Sequence, residues 1–151
     1  MIIREIESQD LSQLLHLYTY LHDNHMPDID ADMAILWHKI VKDPFHHILI
    51  GLKDGRIISS CVLVIIPNLT HRQRPYALIE NVITHPEHRG KGYATKILDY
   101  ARGLAIADRC YKIMLLTGSK KESTLGFYER AGYNRNDKTA FIQWLNEPEF
   151  P

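Results

Sequence analysis

The chain has 151 residues, 45% hydrophobic and 24% charged, with 18 basic and 18 acidic side chains and a formal net charge of zero. This composition excludes a wholly disordered chain, and the charge balance removes any global attraction to nucleic acid or an anionic membrane, so a basic site has to be local. The length is that of one domain, residues 1–151, able to bury roughly two thirds of its unfolded surface.

From the N-terminus, "MIIREI" reads as a first strand, and the run through "ESQDL" gains charge too early for a signal peptide. Leu11, Leu14, Leu15, Tyr18 and Leu21 follow with helical spacing, with Asp10 placed as the N-cap. "HDNHMPDIDAD" breaks the pattern and reads as a loop; a second helix is expected over residues 33–41, with Pro44 just beyond its end. "HHILIGL", "KDGR" and "IISSCVLVII" form a hairpin, because Asp-Gly between apolar runs is a strong turn signal. "PNLTHRQRP" is a polar connection to a fourth strand over residues 76–84, and Ala94, Ile97, Leu98, Ala101, Leu104 and Ala105 then mark a long helix. A strand over 112–116, a polar loop, a helix over 123–131 ending at Gly132 and a last strand over 140–145 complete the order. No apolar stretch approaches the roughly 20 residues of a membrane span, so the expectation is a soluble, cytoplasmic protein with no membrane or nucleic-acid partner. Cys61 and Cys110 lack CxxC spacing and read as buried thiols.

The expected class is α/β (α+β): a mixed, mostly antiparallel sheet of six or seven strands with about four helices. Within it, "HPEHRGKGYATKILDYA" places two glycines and three basic side chains between a strand and a helix. A Walker loop fails, since Lys91 is followed by Gly92 rather than Ser or Thr, and GxGxxG fails at Thr95. What survives is the physics of a helix entrance: glycines admit a ligand close to the backbone, unpaired amides point one way, and the helix dipole favours negative charge. Arg89 and Lys91 add charge beside those amides, so either a phosphate sits here or the glycines merely make a tight turn with solvated charges.

"Arg89-x-x-Gly92-x-Ala94", between strand and helix, resembles the acyl-coenzyme A signature [QR]-x-x-G-x-[GA] of the GNAT superfamily of N-acetyltransferases, and "FYERAGY" resembles that superfamily's "FYEKxGF" run. The order and separation of the two motifs agree, and the likeness in element order covers nearly the whole chain. The resemblance implies splayed fourth and fifth strands, with the pantetheine arm of acetyl-coenzyme A pairing with the backbone of Val82, Ile83 and Thr84. Its diphosphate would rest on the amides of Arg89, Gly90, Lys91, Gly92, Tyr93, Ala94 and Thr95. The implied activity is transfer of an acetyl group to a primary amine of a small-molecule acceptor by direct attack in a ternary complex; the alternative is a catalytically silent acyl-coenzyme A sensor of the same fold. Dimers are frequent among relatives, which leaves the oligomeric state open between monomer and homodimer.

By the same resemblance Tyr128 is the general acid for the leaving thiolate, against a reading in which its ring only packs. An amide near Val82 would meet the thioester oxygen. Glu80, on the same face as Val82 if the strand is regular, is either the base that takes the ammonium proton, a substrate contact, or part of a structural ion pair. The loop "GSKKESTLGFYE" offers Ser119, Ser123 and Thr124 where many relatives carry an asparagine for the cofactor arm. "IENVITHPEHRGKGYA" with "CYKIMLLTGSKKES" further resembles members acting on small amines, including the glucosamine-6-phosphate acetyltransferases. On the acceptor side the hints conflict: Asp28, Asp30 and Asp32 favour a cationic amine, Arg72 and Arg74 an anionic one. Nine histidines invite a metal reading at His22-x-x-His25 near Asp23 and at His85-x-x-His88, but neither pair has further ligands at zinc-like spacing, and no metal is expected.

Overall fold

The structure, a computed structural model, describes residues 1–21 and 25–145. These divide into two compact units, Met1–Leu115 and Leu116–Pro151.

The first unit holds one five-stranded sheet in chain order: β1 (Ile2–Glu5), β2 (His46–Lys53), β3 (Arg56–Ile66), β4 (Tyr76–Thr84) and β5 (Ile113–Leu115). Strands β1 to β4 pair antiparallel and β5 joins β4 in parallel. The β2–β3 hairpin turns on Asp54 (φ 51°) and Gly55 (φ 75°), two left-handed residues between the paired Lys53 and Arg56, the geometry that Asp-Gly supplies.

Helices α1 (Leu11–Tyr18) and α2 (Ala31–Lys42) pack on one face of the sheet. Leu14, Leu17 and Trp37 meet Ile48, Ile50, Val62 and Ile83 there in a buried cluster. Gly51, next to Ile50, faces the other way, where a Cβ would stand 3.1 Å from Ile97 of α4 (Tyr93–Ala107). Helix α4 covers that face with Ile97, Leu98, Ala101 and Ala105. Helices on both faces leave β4 sandwiched, as its buried Ala77, Ile79 and Ile83 record.

Asp10 stands at the N-cap position of α1 but makes no side-chain cap hydrogen bond to it, because its carboxylate turns back to Arg4 and Glu7. It is 5% exposed; its Oδ2 accepts hydrogen bonds from Arg4 Nη1 at 2.6 Å and the Glu7 amide at 2.8 Å, and its Oδ1 accepts one from Arg4 Nη2 at 3.0 Å. The Arg4 guanidinium holds its carboxyl below the usual carboxylate range. A depressed folded value means stability present at neutral pH and lost as pH falls through that value. Asp10→Asn is therefore expected to cost about 1–3 kcal/mol at pH 7 and to flatten the acid limb of melting temperature against pH. A variant that melts like the parent from pH 3 to 7 would contradict this.

Three expectations are corrected. The sheet has five strands rather than six or seven because residues 140–145 pair with no strand among the described residues; Phe141, Trp144 and Leu145 lie exposed, and apolar β-propensity makes no strand without a hydrogen-bonded neighbour. Among the described residues the helices number five rather than about four: a single turn, α3 (Thr70–Gln73), arises inside the polar connection, with left-handed His71, Arg72 and Gln73. Cys61 is buried as expected, whereas Cys110, at the exposed end of α4, is only half-buried. His22, Asp23 and the acceptor-loop residues beside them, 22–24, lie outside the described residues.

The second unit carries α5 (Glu122–Arg130). Arg135 closes over it, its Nη1 3.1 Å from Glu122 Oε1 and its Nε 3.0 Å from Glu129 Oε1.

Candidate active site

Strand β4 is irregular where the sequence reading needed it regular. Val62 pairs with Glu80 and Ser60 with Ile83, so Asn81 and Val82 together oppose the single residue Cys61. Asn81 carries φ 50°. This is a β-bulge, a device that re-aims side chains and concentrates near active sites. It puts Glu80 on the face of Ile83 instead of that of Val82, which corrects the alternation assumed from sequence. Glu80 is exposed.

On its other edge β4 pairs with β5 only through Ala77, Leu78 and Ile79. Among the described residues no strand pairs that edge from Glu80 to Thr84, so the backbone of Val82, Ile83 and Thr84 is unpaired by any strand on that side.

Beyond Thr84 the chain makes one 3-10 turn, Pro86–His88, and enters α4 through Gly90 (φ 72°) and Gly92 (φ 75°), the latter its N-cap. A Cβ at either glycine would meet no protein atom within 4 Å; glycine is required by the left-handed backbone, and the space above it is open. Among the described residues the amides at positions 90–95 have no hydrogen-bond partner, the first bond of α4 being that of the Lys96 amide to the Gly92 carbonyl at 3.1 Å. Arg89 and Lys91 do not crowd these amides. Arg89 Nε donates to the Thr84 carbonyl at 3.1 Å and Lys91 Nζ to the Glu87 carbonyl at 2.8 Å, so both cations brace the turn while lending it positive potential. Six consecutive donors at a helix entrance are a receiver for a phosphate-bearing group.

The same turn brings His85, Glu87 and His88 together, one ligand atom from each lying within 4.8 Å of the others. The His-x-x-His spacing flagged two of these residues; Glu87 was missed. His88 titrates below the usual histidine range, first through desolvation and then through Lys91, Lys53 and His85, and that positive surrounding opposes a cation at the trio.

Sequence reasoning also missed Tyr18 and Ser60. Both hydroxyls are buried on the α1-facing side of the bulge with no well-formed hydrogen bond among the described residues, yet Ser60 and Asn81 lie near enough the Tyr18 phenol to interact with it as hydrogen-bonding neighbours. Burial pushes that phenol up to about 12, so it stays protonated at neutral pH. The adjacent Ser59 is fully engaged, donating to the Ile83 carbonyl at 2.9 Å and lying 2.7 Å from Thr84 Oγ1. The only sequence signal was a phenol on an otherwise apolar helix stripe.

In the second unit Tyr128 sits on α5 with its ring 4.8 Å from that of Phe127 and 6.2 Å from that of Tyr133, and its carbonyl accepts the Tyr133 amide at 3.0 Å. Ser119 Oγ donates to Thr124 Oγ1 at 3.2 Å and accepts from the Lys121 amide at 3.3 Å, so of the residues standing where relatives carry asparagine, two are bonded to each other.

The fold and the turn define a class: an α/β protein with a mixed sheet, a bulged and half-unpaired fourth strand, and an anion-receptive helix entrance at that strand's end. The chain belongs to the GNAT family of acetyltransferases, whose family model, described as "Acetyltransferase (GNAT) family", matches residues 9–133. It is 29% identical over 142 residues, 90% of each chain, to the glucosamine 6-phosphate N-acetyltransferase of Trypanosoma brucei brucei. Among solved structures it is similar to a putative acetyltransferase from Agrobacterium tumefaciens, with TM-score 0.87 and 32% identity over 95% of this chain and 100% of that one. The glucosamine-6-phosphate N-acetyltransferase of Arabidopsis thaliana shares the fold at TM-score 0.83 and 19% identity, covering 96% of this chain and 98% of that one.

Proposed function

We propose that the protein is a single-domain N-acetyltransferase that moves an acetyl group from acetyl-coenzyme A to the primary amine of a small molecule, the two substrates reacting directly in a ternary complex. The observation that carries this reading is the row of six unpaired amides at positions 90–95, set at the end of a strand whose adjacent edge is also unpaired. A diphosphate matches the first feature and a peptide-like pantetheine arm the second. The residues present thus fit the cosubstrate, which supplies an activated thioester carbonyl when bound.

Residues Arg89, Gly90, Lys91, Gly92, Tyr93, Ala94 and Thr95 hold the diphosphate, and Val82, Ile83 and Thr84 pair with the arm. The Val82 amide, in the bulge, donates to the reacting carbonyl oxygen. Tyr128 gives its phenolic proton to the departing sulfur. Glu80 takes the ammonium proton or orients the amine, and its exposure supports either role over a buried ion pair. No described helix is long and apolar enough to cross a membrane; a cytoplasmic, homodimeric enzyme is the form proposed. The curated relative's named activity puts amino-sugar phosphates among the first acceptors to try.

The test is release of free thiol from acetyl-coenzyme A across a library of amines. Release that depends on one amine class is expected. No release with any amine, together with a melting temperature unmoved by acetyl-coenzyme A, would remove the reading.

A further inference from the structure

The end of the sheet opposite the glycine turn carries cations with little to neutralise them. An open surface cleft of about 700 Å³ is lined by His71, Arg72, Arg74, Ile106, Arg109 and Cys110, all exposed except the half-buried Cys110. A second of about 460 Å³ shares its three arginines and adds Asp108, the one carboxylate at either. Arg72 and Arg74 come from the β3–β4 connection and Arg109 from the corner between α4 and β5. No ion pair involves any of the three among the described residues.

The structure keeps these like charges together. Asn68 Nδ2 donates to the Thr70 carbonyl at 3.2 Å, to Thr70 Oγ1 at 2.9 Å and to the Arg74 carbonyl at 3.3 Å, and Arg74 Nε donates to the His71 carbonyl at 3.3 Å. The His71 ring stacks on Tyr111 with centroids 3.9 Å apart and planes 6° from parallel. Lys112 Nζ lies 5.4 Å from the Tyr111 ring centre, another cation at the same corner. The backbone is strained to match: His71, Arg72, Gln73 and Arg109 all have positive φ. Arg109 occupies the left-handed position after α4, where glycine or asparagine is the usual choice. A helix end that gives up that choice for an arginine, lining the same cleft as two more arginines on a braced loop, gives up stability for charge, as ligand clamps do.

We propose that this cleft is a second anion site, built to take a phosphate monoester or inorganic phosphate between Arg72, Arg74 and Arg109. It is separate from the glycine turn, since the nine residues of β4 put about 25–30 Å between the two. Guanidinium pairs match the oxygens of a tetrahedral dianion, and three arginines lining one cleft favour phosphate over a lone carboxylate. The proposal adds to the transferase reading without depending on it, because it needs no coenzyme.

Calorimetric titration of inorganic phosphate into the full chain saturated with coenzyme A tests it, alongside Arg72→Asn and Arg109→Asn. Asparagine tolerates the left-handed backbone, so both variants are expected to fold, with melting temperatures in phosphate-free buffer equal to or above that of the parent. Each should weaken phosphate binding at least about ten-fold while leaving coenzyme A binding unchanged. Phosphate binding that survives both substitutions, or none by the parent at millimolar concentration, overturns the proposal, as does a variant that loses stability as well as the anion. If coenzyme A itself fails to bind, the titration is run on Gly92→Val, and phosphate affinity retained there but lost in Arg109→Asn supports the second site while the transferase reading falls. Glucosamine 6-phosphate and glucosamine separate two sources of the phosphate. A phosphosugar about ten-fold tighter than inorganic phosphate, with the plain sugar silent, places the anion on the acceptor; equal affinity of phosphosugar and phosphate makes it an independent ligand.

Discussion

Gly92→Val lowers coenzyme A affinity by about ten-fold or more while the protein stays folded. At φ 75° a side chain costs about 1–2 kcal/mol, and a β-branched one sits at the upper end. The turn relieves that strain by rotating out of the left-handed region, which turns the amides at positions 90–95 away from one another. Since about 1.4 kcal/mol is a factor of ten in affinity, loss of alignment at even two charge-assisted bonds reaches that figure. No protein atom beyond its chain neighbours lies within 4 Å of a Cβ placed there, so the added bulk meets the ligand rather than the fold. Gly92→Asn, which accepts the left-handed backbone, should lose less. Titration calorimetry on the three proteins gives the order; equal affinities in folded variants would refute the diphosphate assignment.

Tyr128→Phe should reduce turnover by about a hundred-fold, the lower end of what a positioned proton donor contributes, with little change in the KM for acetyl-coenzyme A. The substitution keeps the ring contacts to Phe127 and Tyr133 and leaves the backbone untouched, so the variant is expected to stay folded, which its melting curve checks. A pre-steady-state measurement keeps slow product release from hiding the effect. An unchanged chemical rate would reduce Tyr128 to a packing residue.

What could be read from the chain follows from the range over which each signal acts. The Asp-Gly hairpin, the α4 stripe and the glycine turn are encoded within a few residues by turn chemistry and period, and the structure has them where those rules put them. The bulge at Asn81 and Val82 is not local: it exists because β3 and β4 meet with one residue opposing two, and nothing inside "LIENVIT" announces the mismatch. That is why regular alternation puts Glu80 on the face of Val82 while the bulged strand does not. The juxtaposition of the buried Tyr18 and Ser60 hydroxyls and the shared cleft of Arg109 and Arg72 are likewise products of tertiary assembly, joining residues from elements far apart in the chain. The segment over 140–145 shows the reverse case, in which strong strand propensity found no strand to pair with among the described residues.

The most direct measurement of the central claim is a two-dimensional amide spectrum of the labelled protein recorded during titration with coenzyme A. The largest shifts should fall on the amides of Gly90, Lys91, Gly92, Tyr93, Ala94 and Thr95, with smaller ones at Val82, Ile83 and Thr84, and a truncated pantetheine lacking the diphosphate should move only the latter group. Saturable binding of coenzyme A that leaves the six turn amides where they were would contradict the account.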